Sequence, residues 1–251
     1  MILIMFVKDV YSVLRTILNG GNMMAFLESL IIMLPVVVIG LSFHEAAHGY
    51  MAYKMGDPTA KNMGRLTLNP LKHLDPIGFA AMLLVGFGWA KPVQFNPYNF
   101  KDYKKGTILT AIAGPLANLL LAVCALVLYT VTICILSATS SLALLVTNDV
   151  MRILTDMLFY LYLANIVLML FNLIPVPPLD GSKVLFSVLP SKSYRFVLNY
   201  ERYGMYILLV LLWFNILDAP LDAALEFFVD IFNNAIKGIT SLFGLSLYYY
   251  V

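Results

Sequence analysis

Long apolar runs separated by short polar connectors make up most of this chain. Four of them occupy residues 25–43, 107–136, 153–174 and 203–217. A helix that crosses a membrane needs about 20 mostly apolar residues. The pattern therefore predicts a bundle of membrane-spanning helices.

A fifth apolar run, residues 77–90, has only 14 residues and basic residues on both sides. It is too short for an ordinary crossing, and both flanks are expected on the same side of the membrane. The simplest interpretation is a re-entrant loop. Such a loop is stable at membrane depth only where protein or a wet cavity surrounds its backbone.

The two ends of the chain carry amphipathic patterns. In residues 1–25, Lys8 and Arg15 fall on the helical face opposite Leu14 and Leu18, which predicts a helix lying on the bilayer surface. Residues 203–251 are assigned to C-terminal membrane helices. Within them, residues 222–250 either cross the membrane or lie on it, and the pattern allows both.

Basic side chains mark one side of the membrane. The positive-inside rule assigns connectors rich in lysine and arginine to the cytoplasm. Acidic residues follow the run 203–217 and indicate the outer side. The connectors assigned to the cytoplasm carry Lys54, Lys61, Arg65, Lys72, Lys101, Lys104, Lys105, Lys183, Lys192, Arg195 and Arg202.

Composition supports the same class. Of 251 residues, 61% are hydrophobic and 12% are charged, against about a quarter charged in soluble domains. The net charge of +2 is too small for a nucleic-acid footprint. We therefore expect an all-α polytopic membrane protein with five or six membrane helices and one membrane-embedded domain over residues 1–251.

The chemistry is concentrated in His44-Glu45-Ala46-Ala47-His48. Two histidines four positions apart project from one face of a helix, and the adjacent glutamate can reach a metal-bound water. Ionisable groups at membrane depth are costly without a function. The alternative is a pair of structural histidines at a helix end.

A hydrolytic zinc site needs a third protein ligand. Asp180 fits best, because its span returns to the cytoplasmic side where His44 and His48 end theirs, and the prolines before it break the helix. The alternative is a Pro-Gly turn that caps a helix. Asp57, Asp75 and His73 are lesser ligand candidates that are better explained as loop or capping residues.

Six ordered motifs then show that the chain resembles the site-2-protease family of intramembrane zinc metalloproteases over about residues 36–190. The resemblance is to compact bacterial and archaeal members, since the chain has no space for a PDZ or CBS domain. Besides the HExxH pattern, the motifs lie at residues 56–60, 64–78, 88–93, 114–118 and 172–181.

This resemblance implies roles for particular residues. His44, His48 and Asp180 would bind one zinc ion, Glu45 would be the catalytic carboxylate, and Asn172 would help to hold the oxyanion. Asn118 matches a family position near the active cleft, where it could contact substrate. Its alternative is helix packing beside Gly114. Residues 26–190 would form the catalytic core.

Two short alternating segments, Arg65–Leu68 and Pro92–Phe95, predict strands that flank the re-entrant loop. The family is similar in having a strand-containing membrane loop there. An unwound substrate could pair with it as an added strand. Ordinary interfacial turns are the alternative.

The function that the resemblance implies is regulated proteolysis inside the cell membrane, with the active site toward the cytoplasm. The substrate partner would be a single-pass membrane protein or a remnant signal peptide, and no regulatory partner is indicated. A transporter or channel with a metal site is the main rival, because intramembrane charges and re-entrant loops also build ion pathways. A catalytically silent membrane scaffold is a third possibility.

Overall fold

The computed structural model describes residues 23–78, 91–139, 141, 144–190 and 194–242. Three long helices form its frame: α1 (Met23–Met55), α3 (Tyr103–Ala138) and α5 (Asp149–Asn172). In the described part of the chain, these are the helices that are long and apolar enough to cross a membrane by themselves.

Shorter elements connect this frame. They are the helices α2 (Thr59–Asn62), α4 (Leu144–Thr147) and α6 (Asp180–Val188), and two 3-10 turns, Pro70–Lys72 and Pro97–Asn99.

The last two helices are α7 (Tyr194–Trp213) and α8 (Asp218–Leu242). Only together are they long and apolar enough to span a membrane, and the chain is bent by 77° at the break between them. The described residues thus hold three spans, or four if the bent pair is one. The predicted count of five or six is not confirmed, and most of the predicted surface helix 1–25 lies outside the described residues.

Helix α1 is longer than the apolar run that predicted it. The run ends at Phe43, but the helix continues to Met55 and contains the whole HExxH pattern. Alanines within the pattern favour helix even where hydropathy falls. The chain turns away at Gly56, whose φ of 114° suits a residue without a side chain.

Aromatic packing joins α8 to the frame. Phe232 of α8 is 1% exposed. Its ring centroid lies 5.3 Å from that of Tyr129, 5.5 Å from that of Phe159 and 4.8 Å from that of Tyr162. These contacts bury α8 against both α3 and α5, so at least this C-terminal helix belongs to the bundle core.

The two segments predicted as strands are irregular in the structure. Residues 65–68 and 91–96 form no strand, and the pairing described there is one hydrogen bond from Lys91 N to His73 O at 2.7 Å. Buried Arg65 donates to Lys72 O. The backbone N of Arg65 donates to Ala60 O at 2.9 Å, so this N–H is not available to a strand ladder. Residues 79–90 of the predicted re-entrant loop lie outside the described residues.

Candidate metal centre and active site

The two histidines of the HExxH pattern lie one helical turn apart on α1. Both are 5% exposed and face the bundle interior. Their ring centroids are 4.5 Å apart and the rings are nearly perpendicular. The spacing of four residues therefore directs both imidazoles to one point, as the sequence predicts.

Asp180 completes a compact group of three donor atoms. Its Oδ2 atom lies 3.1 Å from Nε2 of His44 and 2.9 Å from Nε2 of His48. The two Nε2 atoms are themselves 2.9 Å apart. A tetrahedral zinc site with bonds of about 2.0–2.1 Å has ligand spacings of about 3.3 Å, close to those observed.

The hydrogen bonds that each histidine makes through Nδ1 determine whether its Nε2 atom can bind a metal. Nδ1 of His44 lies 2.8 Å from Asn118 Oδ1, and Nδ1 of His48 lies 2.7 Å from Thr110 O. Both oxygens only accept, so each ring carries its proton on Nδ1. Two imidazole lone pairs and a carboxylate oxygen therefore face one another, an arrangement that a divalent cation stabilises. The residues fit a zinc ion.

Asp180 reaches this point because α6 begins there. The proline-rich turn before it ends α5, and Asp180 stands in the first turn of α6, where the helix dipole favours a carboxylate. Gly181 allows the close approach, because a Cβ on it would lie 2.2 Å from Leu173 O. Lys183 Nζ lies 2.9 Å from Asp180 Oδ1, the oxygen that faces away from the histidines.

Glu45 is half-buried and is held by a backbone amide. Its Oε2 atom accepts a hydrogen bond from Val93 N at 2.7 Å. Val93 belongs to the irregular segment 91–96. One carboxylate oxygen of Glu45 is thus fixed, beside the two histidines, by the segment that follows the predicted re-entrant loop.

The two candidate asparagines occupy different surroundings. Asn118 is fully buried on α3 and bonds to His44 as described above. Asn172 is half-buried at the end of α5, and its Nδ2 atom donates to Leu168 O at 2.9 Å.

The lesser ligand candidates lie apart from this group. Among the residues that the structure describes, the group of histidine, cysteine and acidic side chains close enough together to hold a metal ion is His44, His48 and Asp180. Asp75 Oδ1 accepts from the backbone N of Ile77 and of Gly78, and His73 Nε2 bonds to Thr67 O.

Asp57 is a structural carboxylate. It is fully buried and accepts hydrogen bonds from Thr59 N, Thr59 Oγ1, Asn96 N and Asn99 Nδ2. Burial alone would raise its pKa, but these hydrogen bonds stabilise the charged form and hold the pKa of Asp57 below its ordinary value. It joins the end of α1 to the segment 96–99.

Three contacts of the site were missing from the sequence interpretation. Val93 N and Thr110 O are backbone groups, which leave no mark in a sequence. Lys183 did have a signal, because residues three apart on a helix are neighbours and Lys183 follows Asp180 at that spacing.

The chain is similar in sequence to a known peptidase family. The profile of Peptidase family M50 matches residues 30–215. YwhC of Bacillus subtilis, a candidate zinc metalloprotease by name, is 39% identical over 206 residues, which cover 78% of this chain and 90% of YwhC.

Rip2 of Mycolicibacterium smegmatis, also a candidate zinc metalloprotease by name, is 26% identical over 70% of this chain and 64% of its own length. Rip2 of Mycobacterium tuberculosis is 26% identical over 69% of this chain and 63% of its own. No solved structure matches significantly.

Proposed function

This chain belongs to peptidase family M50 and is an intramembrane zinc metalloprotease, and we propose that His44, His48 and Asp180 hold its zinc ion while Glu45 moves the proton in peptide hydrolysis. The observation that carries this assignment is that three potential ligand atoms, Nε2 of His44, Nε2 of His48 and Oδ2 of Asp180, lie within 3.1 Å of one another.

The site favours hydrolysis over transport. A transporter needs a path for its ion, whereas here a half-buried carboxylate stands beside a closed group of three ligands. Neither the family match nor the named relatives support a transporter. The presence of Glu45 beside the ligands also argues against a catalytically silent scaffold, in which this carboxylate would have no role.

Bound zinc supplies Lewis acidity, which activates water and polarises a peptide carbonyl. Val93 N holds Glu45 Oε2, so the other carboxylate oxygen is available as the base. Glu45 takes a proton from the attacking water and then delivers it to the nitrogen of the breaking peptide bond. This cycle returns Glu45 to its carboxylate form.

Asn172 is the candidate donor to the carbonyl oxygen as that oxygen gains negative charge. Its amide nitrogen bonds to Leu168 O in the resting structure. An amide nitrogen carries two N–H groups, so the bond to Leu168 O leaves the second one for the oxyanion. Asn172 is the last residue of α5 and only half-buried, so substrate can approach its side chain.

The position of the segment 91–96 supports a proposal for the substrate class. This segment passes directly beside the catalytic carboxylate, so a substrate strand paired with it would lie across the zinc site. A helix must unwind to pair in this way, which suits the membrane helix of a single-pass protein or a remnant signal peptide. In this proposal the re-entrant loop is partly β-stranded.

The cytoplasmic orientation rests on charge. Lys54 and Lys101 lie at the end of the bundle nearest the site, and Lys101 N donates to Met55 O. At the far end, Arg152 pairs with Glu28 and Asp149. We place the basic end in the cytoplasm, with five or six crossings in total.

Labelling of introduced cysteines tests the orientation. A cysteine at Lys61 should react with an impermeant maleimide only after cells are opened. A cysteine at Val146, which is 72% exposed, should react in intact cells. The reverse pattern of labelling would show that the basic end of the bundle faces the outside of the cell.

Cleavage by purified protein tests the activity. The wild type and the variant Glu45→Gln are incubated with a panel of single membrane helices and signal peptides, with and without a zinc chelator, and cut sites are mapped by mass spectrometry. We expect cuts within the membrane helix by the wild type only, lost with chelator and restored by zinc. Full activity of Glu45→Gln would rule out this chemistry.

A further inference from the structure

A second polar residue lies behind the metal ligand His44. Asn118 Nδ2 donates to Asn165 Oδ1 at 3.0 Å, and Asn165 Nδ2 donates to Leu161 O at 2.8 Å. Both asparagines are fully buried. With the bond from His44 Nδ1 to Asn118 Oδ1, they form a continuous chain through α1, α3 and α5.

The direction of this chain is fixed at its far end. Leu161 O is a backbone carbonyl and can only accept, so the amide nitrogen of Asn165 faces it and Asn165 Oδ1 faces Asn118. Asn118 must then turn its own nitrogen toward Asn165 and its oxygen toward His44. An oxygen can bond to Nδ1 of His44 only if that nitrogen carries the proton.

The orientation of the Asn118 amide affects the atom of His44 that faces the metal site. With the proton on Nδ1, Nε2 of His44 keeps a free lone pair directed at His48 and Asp180. If the amide of Asn118 were rotated by half a turn, its NH2 group would face Nδ1. The proton would then move to Nε2, and that atom could not bind a metal.

We propose that Asn165 is a positioning residue for zinc: by holding the amide of Asn118 in one orientation, it selects the tautomer of His44 that binds the metal. This inference rests on the proposed zinc role of His44. It concerns a residue with no contact to the metal group.

Close packing restricts the side chain of Asn165. Helix α1 approaches it closely at Gly40, where an added Cβ would lie 3.1 Å from Asn165 Oδ1. The side chain therefore has little room for another rotamer. The acceptor Leu161 O then determines which end of the amide faces Asn118.

Zinc affinity measured by chelator competition tests the proposal. In the wild-type background, Asn165→Leu removes the acceptor for Asn118 and should weaken zinc binding by about 10–100-fold, as loss of an outer-shell partner does. Asn165→Asp keeps an acceptor oxygen and should bind nearly as the wild type does. Tyr162→Phe is the matched control, because it breaks a bond from the same helix to Phe228 O and should not change affinity.

A second background separates positioning from simple loss of packing. In Asn118→Asp, either carboxylate oxygen accepts from His44 Nδ1, so the ring no longer depends on Asn165. Adding Asn165→Leu there should weaken zinc binding by less than about 2-fold, since Asn118→Asp has already removed the N–H that donates to Asn165 Oδ1. Equal weakening in both backgrounds, or none in either, would overturn the proposal.

The tautomer itself gives an independent result if Asn165→Leu does not fold. Nitrogen NMR of histidine-labelled apoprotein should show His44 protonated at Nδ1 in the wild type, and a proton on Nε2 would contradict the proposal. If the wild type binds no zinc at all, the proposed function fails instead, so the two failures are distinguishable.

Discussion

A Cβ atom on Gly114 would lie 2.4 Å from Nε2 of His48. The backbone of α3 thus forms one wall of the metal site, and the wall is close enough to exclude any side chain. Neither ring can move aside easily, because His44 and His48 are each tied through Nδ1 to α3.

Gly114→Ala should therefore abolish zinc binding. The added methyl occupies the space of the ligand atoms, and we expect zinc affinity to fall by more than about 100-fold, beyond the usual effect of an outer-shell change. Zinc content after purification measures it. Gly238→Ala in α8 is the control, since nothing lies within 4 Å of its added Cβ. A zinc-replete Gly114→Ala protein would show that the site is more open.

Val93→Pro should reduce cleavage without releasing zinc. Proline removes the N–H that holds Glu45 Oε2. Loss of a hydrogen bond to a charged group costs about 1.5–3 kcal/mol, so kcat should fall about 10–100-fold. Val93→Ala keeps the N–H and serves as the control. Equal activity of the two variants would mean that this bond does not position the base.

Lys183→Met should weaken zinc binding by about 10-fold, because it removes the partner of Asp180 Oδ1 while keeping an apolar stem. The ammonium also lies 5.4 Å from the ring centroid of Phe95, which methionine can still contact. Lys104→Met, at an exposed lysine early in α3, is the control. Wild-type affinity in Lys183→Met would show that the histidines hold Asp180 unaided.

Asp57→Asn should lower thermal stability in a pH-dependent manner. An amide cannot accept from every donor around Asp57, and loss of about 1 kcal/mol would lower the melting temperature by about 2–4 °C. The pKa of Asp57 is lowered in the fold, so its contribution is present above the ordinary pKa and is lost as pH falls through the folded one.

The difference between the wild type and Asp57→Asn should thus persist at neutral pH and shrink below about pH 4. Asp102→Asn is the control, since Asp102 is an exposed N-cap of α3 and asparagine caps equally well. A constant difference at all pH values would contradict the assigned origin of the effect.

The sequence predicted that His44, His48 and Asp180 lie close together, as they do, because the signals for this are local and periodic. Four-residue spacing on a helix brings His44 and His48 together, and the return of α5 to the same side brings Asp180. The apolar run ends at Phe43, whereas α1 continues for 12 residues to Met55, because hydropathy marks the membrane boundary while helix propensity continues past it.

Other features depend on contacts between distant segments. Val93 N reaches Glu45 across 48 positions, and a backbone donor has no residue signature. Asn165 lies in an apolar helix. An asparagine there indicates a buried hydrogen bond, but the sequence does not show which residue is its partner. The alternation at Arg65–Leu68 predicted a strand, but the backbone N of Arg65 donates to Ala60 O in the turn after α2 instead.

X-ray absorption at the zinc edge tests the central assignment most directly. On Glu45→Gln protein, which cannot digest itself, we predict one zinc per chain with two imidazole nitrogens and oxygen donors at about 2.0–2.2 Å. Replacing His48 or Asp180 by alanine should remove the metal. Sulfur in the coordination shell, or full zinc content after loss of either side chain, would contradict the account.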